Sequence, residues 1–98
     1  MGKVIVSNIV RDKIEFLENY LVDELKLSEE AALRRSQRMR NFVTSLEMPT
    51  CYPLCRFRQW NLLGYRCAVF EKAWVFAYEV FDDGVIIRDM SHTAVLIE

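Results

Sequence analysis

The spacing of apolar residues changes once along this chain, from a helical repeat to a strand-like alternation. Residues 8–46 carry apolar side chains three or four positions apart, which is the spacing of an amphipathic α-helix. From Thr50 onward the apolar residues alternate, and the chain is punctuated by Pro53, Gly64 and Asp83-Gly84. That pattern favours short strands joined by turns. A helical first half followed by a strand-rich second half predicts an α+β fold.

Two amphipathic helices are predicted in the first half, after a short β-branched strand over residues 3–6. We expect Ser7 or Asn8 to cap the first helix and Ser28 to cap the second, which has two glutamates in its first turn. Pro49 is expected to end the second helix. Because few residues separate the helices, they should pair as an antiparallel hairpin. The predicted buried stripes are Val10, Ile14, Leu17, Leu21 and Leu25 on the first helix, and Ala32, Ser36, Met39, Val43 and Leu46 on the second.

The second half predicts strands near residues 56–62, 65–70, 73–81 and 85–90. The Asp83-Gly84 pair suits a tight turn between the last two strands. In the strand over 73–81, one face carries Trp74, Phe76, Tyr78 and Val80, and it is expected to pack on the helices. The predicted architecture is an N-terminal strand and an antiparallel two-helix hairpin packed on a twisted, mainly antiparallel sheet of four to five strands.

Length and composition predict one domain in a reducing compartment. The chain has 98 residues, 52% of them apolar, which suffices for one hydrophobic core. It contains neither an apolar run of about 18 residues nor the apolar region of a signal peptide, so a cytoplasmic location is expected. Cys51, Cys55 and Cys67 are an odd number, which favours reduced thiols. Their spacing, taken with His92, fits no compact zinc module, and we expect neither a metal nor a cofactor.

Positive charge is concentrated in the middle of the chain. The net charge is only −1, yet residues 31–66 contain seven arginines and one glutamate, a local net charge of +6. Four of these arginines lie on the second predicted helix, mostly outside its apolar stripe. One interpretation is a solvated helix face. The other is a ridge that contacts an acidic partner protein through Arg34, Arg35 and Arg38.

Three segments of the second half resemble the RelE/ParE toxin superfamily, also called plasmid stabilisation proteins. Leu63-Gly64-Tyr65-Arg66 is similar to the family's entry into the central sheet. Val75-Phe76-Ala77-Tyr78-Glu79-Val80 resembles its aromatic strand. Val85-Ile86-Ile87-Arg88-Asp89-Met90-Ser91-His92 resembles its last strand, which closes in a histidine. The element order of the whole chain also matches the family's layout.

The resemblance implies the toxin of a type II toxin–antitoxin system. RelE-like members cleave mRNA in the ribosomal A site, whereas ParE-like members poison DNA gyrase, and a helical segment of a cognate antitoxin neutralises both. The implied partners are therefore an antitoxin and either the ribosome with its mRNA or DNA gyrase. A homodimer is left open as an assembly, and a non-toxic binding module of the same fold is a third alternative.

Metal-free RNA cleavage requires several cationic side chains and one group that transfers protons near neutral pH. His92 is the only histidine, and it matches the family's terminal histidine. Arg56 and Arg58 are two positions apart on a predicted strand, so they should share a face that Arg66 could join. A solvated strand face is the competing interpretation. The predicted catalytic residues are Arg66, Arg88 and His92, and the predicted RNA- or target-binding residues are Arg56, Arg58, Lys72 and Tyr52.

One position departs from the nuclease pattern. Many RelE-like members have a catalytic arginine in the aromatic strand, and this chain has Val75 there. The pI of about 5.9 is low for a protein that binds nucleic acid through phosphate neutralisation. Both observations favour the gyrase alternative. For the nuclease alternative, Lys72 could partly substitute for the missing arginine.

Overall fold

The computed structural model describes residues 3–46, 53–82 and 84–93, and it confirms the predicted α+β architecture. In these residues a helical hairpin packs on a four-stranded sheet of order β1-β4-β3-β2. β1 runs parallel to β4, while β4, β3 and β2 are antiparallel neighbours. The elements are β1 (Lys3–Val6), α1 (Asn8–Asp23), α2 (Glu29–Thr44), α3 (Arg58–Asn61), β2 (Arg66–Phe70), β3 (Trp74–Phe81) and β4 (Gly84–His92).

Both long helices begin at the serines that the sequence indicates. The Ser7 hydroxyl accepts a hydrogen bond from the Val10 amide at 3.4 Å, and the Ser28 hydroxyl accepts one from the Ala31 amide at 3.1 Å. The predicted stripes are buried or half-buried, with one exception. Leu25 lies beyond the end of α1 and is 54% exposed, because the helix stops at Asp23 before the repeat is complete. α2 ends at Thr44, and Pro49 lies outside the described residues.

A polar clasp of Glu18, Ser36 and Arg40 joins the two helices. Arg40 Nη1 donates to Glu18 Oε1 at 2.8 Å, and the buried Ser36 hydroxyl donates to the same oxygen. The hydrogen bond from Arg40 holds the pKa of the Glu18 carboxyl below its ordinary value, and the Ser36 hydrogen bond acts in the same direction. The one polar residue in the α2 stripe therefore has a partner on the facing helix.

The main core lies between the helical hairpin and one face of the sheet. Phe76 and Tyr78 of β3 and Ile87 of β4 are fully buried there against the stripes of α1 and α2. Burial of each such side chain contributes about 1.5–3 kcal/mol before conformational entropy is counted. Val80 was expected on this face too, but it is 45% exposed, because it lies two residues beyond the last β3 residue in this core.

A second, smaller core covers the opposite face of the sheet. Residues 53–65, here called the cap segment, fold over that face, and Phe57 and Trp60 pack on Val75 and Ala77 of β3. The predicted strand over 56–62 is wrong, since Arg58–Asn61 is the short helix α3. Phe57 and Trp60 are three positions apart, so a helical turn buries both on one side, whereas a strand would place them on opposite faces. Consequently Arg56 and Arg58 do not share a strand face.

A disulfide between Cys55 and Cys67 ties the cap segment to β2. The expectation of reduced thiols is therefore wrong for these two residues, while Cys51 lies outside the described residues. Folding produces the pairing, because an antiparallel bridge between Leu54 and Arg66 places the two Cα atoms 4.8 Å apart. The Cys55 amide also donates to the Tyr65 carbonyl oxygen at 2.9 Å. Covalent and hydrogen bonds thus hold the cap segment against the sheet.

Gly84 opens β4 directly beside β1. Its φ is +155°, and a Cβ atom there would lie 2.0 Å from the backbone oxygen of Lys3. Only glycine allows the two strands to approach this closely. The other half of the predicted turn, Asp83, lies outside the described residues.

Candidate functional site

The sheet register separates two of the three predicted catalytic residues. Arg66 on β2 lies opposite Tyr78 of β3, while His92 on β4 lies opposite Trp74 of the same strand. Tyr78 and Trp74 are four residues apart on β3, a distance of roughly 13 Å along the strand. β2 and β4 lie on opposite sides of β3, which separates them by roughly 10 Å across the sheet. Arg66 and His92 therefore do not converge on one reacting group.

Arg88 is directed away from both of these residues. It is the extra residue of a bulge in β4, because Ile87 pairs with Tyr78 and Asp89 already pairs with Ala77. Its Nε donates to Glu79 Oε1 at 2.5 Å, and Glu79 faces the side of the sheet opposite to Tyr78. Arg88 is thus held in an ion pair on the face that the helices leave uncovered. The structure does not assemble the predicted set of Arg66, Arg88 and His92.

His92 instead lies at the end of the sheet where β2 turns into β3. Its ring packs edge-on against Trp74, with 5.1 Å between ring centroids. The neighbouring turn contains Glu71 and Lys72, which have φ values of +50° and +63°. This left-handed pair forms a tight turn that the Ala73 amide closes by donating to Phe70 O at 3.2 Å. The turn places two oppositely charged, exposed side chains beside the histidine strand.

Two grooves each include one residue of this turn in their lining, and basic residues line both. The helix-side groove, on the hairpin side of the sheet, is lined by Arg35, Arg38, Glu71 and His92 among others. The cap-side groove, on the side of the cap segment, has Lys72 in its lining, together with Arg56 and Thr93. We call Arg35, Arg38, Arg56, Lys72 and His92 the basic surface.

The charge balance of the basic surface is strongly positive. Among the residues lining the two grooves, Glu71 is the single carboxylate, and its Oε1 lies 3.2 Å from Nε of Arg38. The Arg56 guanidinium carbon lies 5.3 Å from the centroid of the Phe57 ring, a cation–π distance. Arginine and lysine side chains can bind phosphate groups, and an imidazole can transfer protons. The basic surface is therefore the strongest candidate site in the described residues.

The remaining predicted site residues lie elsewhere. Arg34 is exposed on α2, where its Nη1 is 3.9 Å from Glu30 Oε1, a weak surface pair one helical turn away. Arg58 is exposed at the start of α3. Tyr52 lies outside the described residues. The sequence thus identified all five members of the basic surface, but it grouped them with residues that the fold places apart.

Val75, where the resemblance to RelE-like proteins implies an arginine, is fully buried. It belongs to the second core, where Phe57 and Trp60 of the cap segment cover it. An arginine could not be accommodated there without displacing the cap segment. The sequence shows a valine at this position, but only the structure shows that the surrounding sheet face is filled.

Within residues 3–46, 53–82 and 84–93, no three His, Cys, Asp or Glu side chains come together as a metal site would require. None of the helices described has the combined length and apolar character needed to cross a bilayer. No family model matches the sequence, and a search of the curated proteins gives no match either.

Proposed function

We propose that this chain is the toxin of a type II toxin–antitoxin system, which acts in the cytoplasm and arrests growth until a cognate antitoxin binds it. The proposal rests on the resemblance of residues 63–66, 75–80 and 85–92 to RelE/ParE toxins. It is supported by the element order, because a strand, a helical hairpin and an antiparallel sheet follow one another as the resemblance implies.

Ribosome-dependent mRNA cleavage is the mechanism that the site supports best, and the basic surface is the observation that carries it. Cleavage requires a base that takes the 2′-hydroxyl proton, an acid that protonates the leaving 5′-oxygen, and cations that stabilise the phosphate in between. His92 can fill one proton-transfer role, Arg35 and Arg38 line the same groove as His92, and Lys72 lines the groove on the cap side. Arg66 and Arg88 have no part in this arrangement.

Gyrase inhibition is the second candidate, and the burial of Val75 favours it. The sheet face where many RelE-like proteins present their strand arginine is occupied by the cap segment in this chain. A toxin without that arginine can still act by binding a target protein, which requires no proton transfer. The two candidates therefore differ in whether His92 matters for growth arrest.

Induced expression in a bacterial host tests both. The nuclease predicts growth arrest with mRNA 5′ ends mapping inside ribosome-bound codons, and His92→Ala or Lys72→Ala should abolish both effects. Arg11→Gln is the matched control, because it removes one cation outside the basic surface, where Arg11 Nε donates to Val6 O. Trapped gyrase–DNA breaks with intact mRNA would refute the nuclease in favour of the gyrase inhibitor. Normal growth on induction would refute the toxin assignment, leaving a non-toxic binding module.

A further inference from the structure

The Cys55–Cys67 disulfide has one buried end and one end that faces a groove. Cys55 is 1% exposed and lies in the second core with Phe57 and Val75. Cys67 is half-buried and lines the cap-side groove, whereas Cys55 is not part of that lining. A dissolved thiolate must contact the sulfur that it attacks, so the folded protein offers it this bond at Cys67.

The groove around Cys67 is basic. Arg56 and Lys72 are exposed and line it, and none of the described residues in its lining is acidic. Its volume of about 680 Å³ lies in the range of sites that hold small ligands. Arginine and lysine side chains bind carboxylates through charge-assisted hydrogen bonds. The lining therefore favours an anionic thiol over a neutral one.

Hydrogen bonds hold the two cysteines together independently of the disulfide. The Cys55 amide donates to Tyr65 O at 2.9 Å, and the Cys67 amide donates to Pro53 O at 3.3 Å. The side-chain amide of Asn61 donates to Cys55 O at 2.7 Å. After the S–S bond has opened, these contacts should keep the Cys55 thiol beside Cys67. A thiol held there reacts with a mixed disulfide much faster than a thiol in solution, because its effective concentration is high.

We propose that Cys67 is a thiol-exchange site for an anionic low-molecular-weight thiol of the glutathione type, with Cys55 as the resolving cysteine. The incoming thiol loses its proton to water, and its sulfur attacks Cys67 Sγ. A new S–S bond forms there, the Cys55–Cys67 bond breaks, and the electron pair goes to Cys55 Sγ, which takes a proton. The Cys55 thiolate can then displace the bound thiol and restore the original disulfide. Alternatively, a second thiolate attacks the mixed disulfide, which leaves two protein thiols and the small thiol oxidised to its own disulfide.

The mixed disulfide changes the charge of the cap-side groove. Glutathione has two carboxylates and one ammonium group, and on Cys67 it would lie beside Arg56 and Lys72. Both residues belong to the basic surface, so exchange neutralises part of its charge while the cap segment stays in place. Exchange requires only the disulfide, the groove and the two cations, and it does not depend on the proposed function.

Peptide mapping identifies the modified sulfur, because tryptic cleavage after Arg56 and Arg66 places Cys55 and Cys67 on separate peptides. The Cys51→Ser protein is reduced, freed of reductant, treated briefly with oxidised glutathione and quenched with maleimide. We expect a glutathione adduct on Cys67. The adduct should increase by about tenfold or more when Cys55→Ala removes the resolving thiol. In the matching Cys67→Ala variant, Cys55 should stay unmodified.

Rates of reduction test the role of the two cations. Reduction of the Cys51→Ser protein by glutathione is compared with reduction by 2-mercaptoethanol, a neutral thiol. Arg56→Gln and Lys72→Gln should each slow the glutathione reaction by about threefold and leave the mercaptoethanol reaction unchanged, and high salt should remove the difference. Arg58→Gln is the matched control, since it removes an exposed cation of the same cap segment that does not line the groove.

Three results would overturn the exchange site. The first is equal modification of Cys55 and Cys67 in folded, reduced Cys51→Ser protein, a measurement that replaces neither cysteine of the pair and so stands even if Cys55→Ala fails to fold. The second is equal slowing of the glutathione reaction by Arg58→Gln and Lys72→Gln. The third is a reduction rate that does not rise with thiol concentration and equals the rate of global unfolding, because the bond would then open only in the unfolded chain.

Discussion

Breaking the Cys55–Cys67 disulfide should destabilise the protein by about 3 kcal/mol, according to the chain-entropy estimate for a loop of this length. The bond joins residues with a sequence separation of 12. In the unfolded chain it removes roughly 9.5 cal/mol/K of conformational entropy, which at 25 °C corresponds to about 2.8 kcal/mol. For a domain of this size, that loss should lower Tm by roughly 12–24 °C.

The assay compares oxidised and reduced protein by circular dichroism melting and urea unfolding. A Cys51→Ser background leaves only the paired cysteines, and maleimide labelling counts the free thiols in each sample. The bond is broken by reduction with dithiothreitol and not by a Cys55→Ser substitution. Position 55 is 1% exposed, so burying a serine hydroxyl there would add a cost of its own. Two free thiols in the oxidised sample, or a Tm difference below about 3 °C between fully oxidised and fully reduced protein, would refute the reasoning. Because the proposed cytoplasmic location is reducing, the reduced sample also gives the stability relevant there.

Three further predictions concern the packing. Gly84→Ala should cost about 2–3 kcal/mol in urea unfolding, because its Cβ would overlap the Lys3 backbone; a loss below about 0.5 kcal/mol would contradict the close approach. Trp60→Ala should cost about 3–5 kcal/mol by opening the second core, and an unchanged unfolding midpoint would show that the cap segment does not pack on the sheet. Glu18→Gln should cost about 1 kcal/mol at pH 7, because it weakens the hydrogen bond from Arg40. The pKa of Glu18 is lower in the folded protein than in the unfolded chain, so this stabilisation is present at pH values above the unfolded-state pKa. It is lost as the pH falls through the folded-state pKa, and the difference in stability between Glu18→Gln and the wild type should vanish there. A difference that persists in unfolding curves at low pH would contradict the prediction.

The helical hairpin was predictable because its signals are local. Ser7 and Ser28 each lie three residues before an amide they cap, and the α2 stripe from Ala32 to Leu46 is buried as its spacing predicts. The antiparallel strands β2, β3 and β4 were likewise visible in alternating sequence. The parallel pairing of β1 with β4 was not predicted, since it depends on which strand edges remain free after the sheet forms.

The cap segment was misjudged because its signals conflict. Cys55 and Phe57 alternate like strand residues, whereas Phe57 and Trp60 have helical spacing, and tertiary packing on Val75 decides between the two. The reduced state expected for Cys55 and Cys67 rested on an odd cysteine count, which carries no information about which residues become neighbours. A pairing across 12 residues appears only when the chain folds back on itself and Leu54 pairs with Arg66.

The candidate site was partly predictable. The sequence identified His92, Lys72 and Arg56 as functional candidates, and all three line the grooves at the β2–β3 turn. It grouped His92 with Arg66 and Arg88 because motif order along the chain does not specify strand register. A bulge in β4 and the position of Arg66 opposite Tyr78 separate those residues, and neither feature has a sequence signal that we recognise.

The pairing of the first strand with the last has a consequence during synthesis. From Val6 to Gly84 the chain must grow by 78 residues before the partner of β1 exists. At elongation rates of 5–20 residues per second, β1 waits about 4–16 s without its neighbour. The complete sheet, and with it the surface around His92, therefore cannot form on a nascent chain until translation has passed β4. A newly made molecule therefore lacks that surface for those seconds, and any partner that recognises the surface can bind only after β4 has been translated.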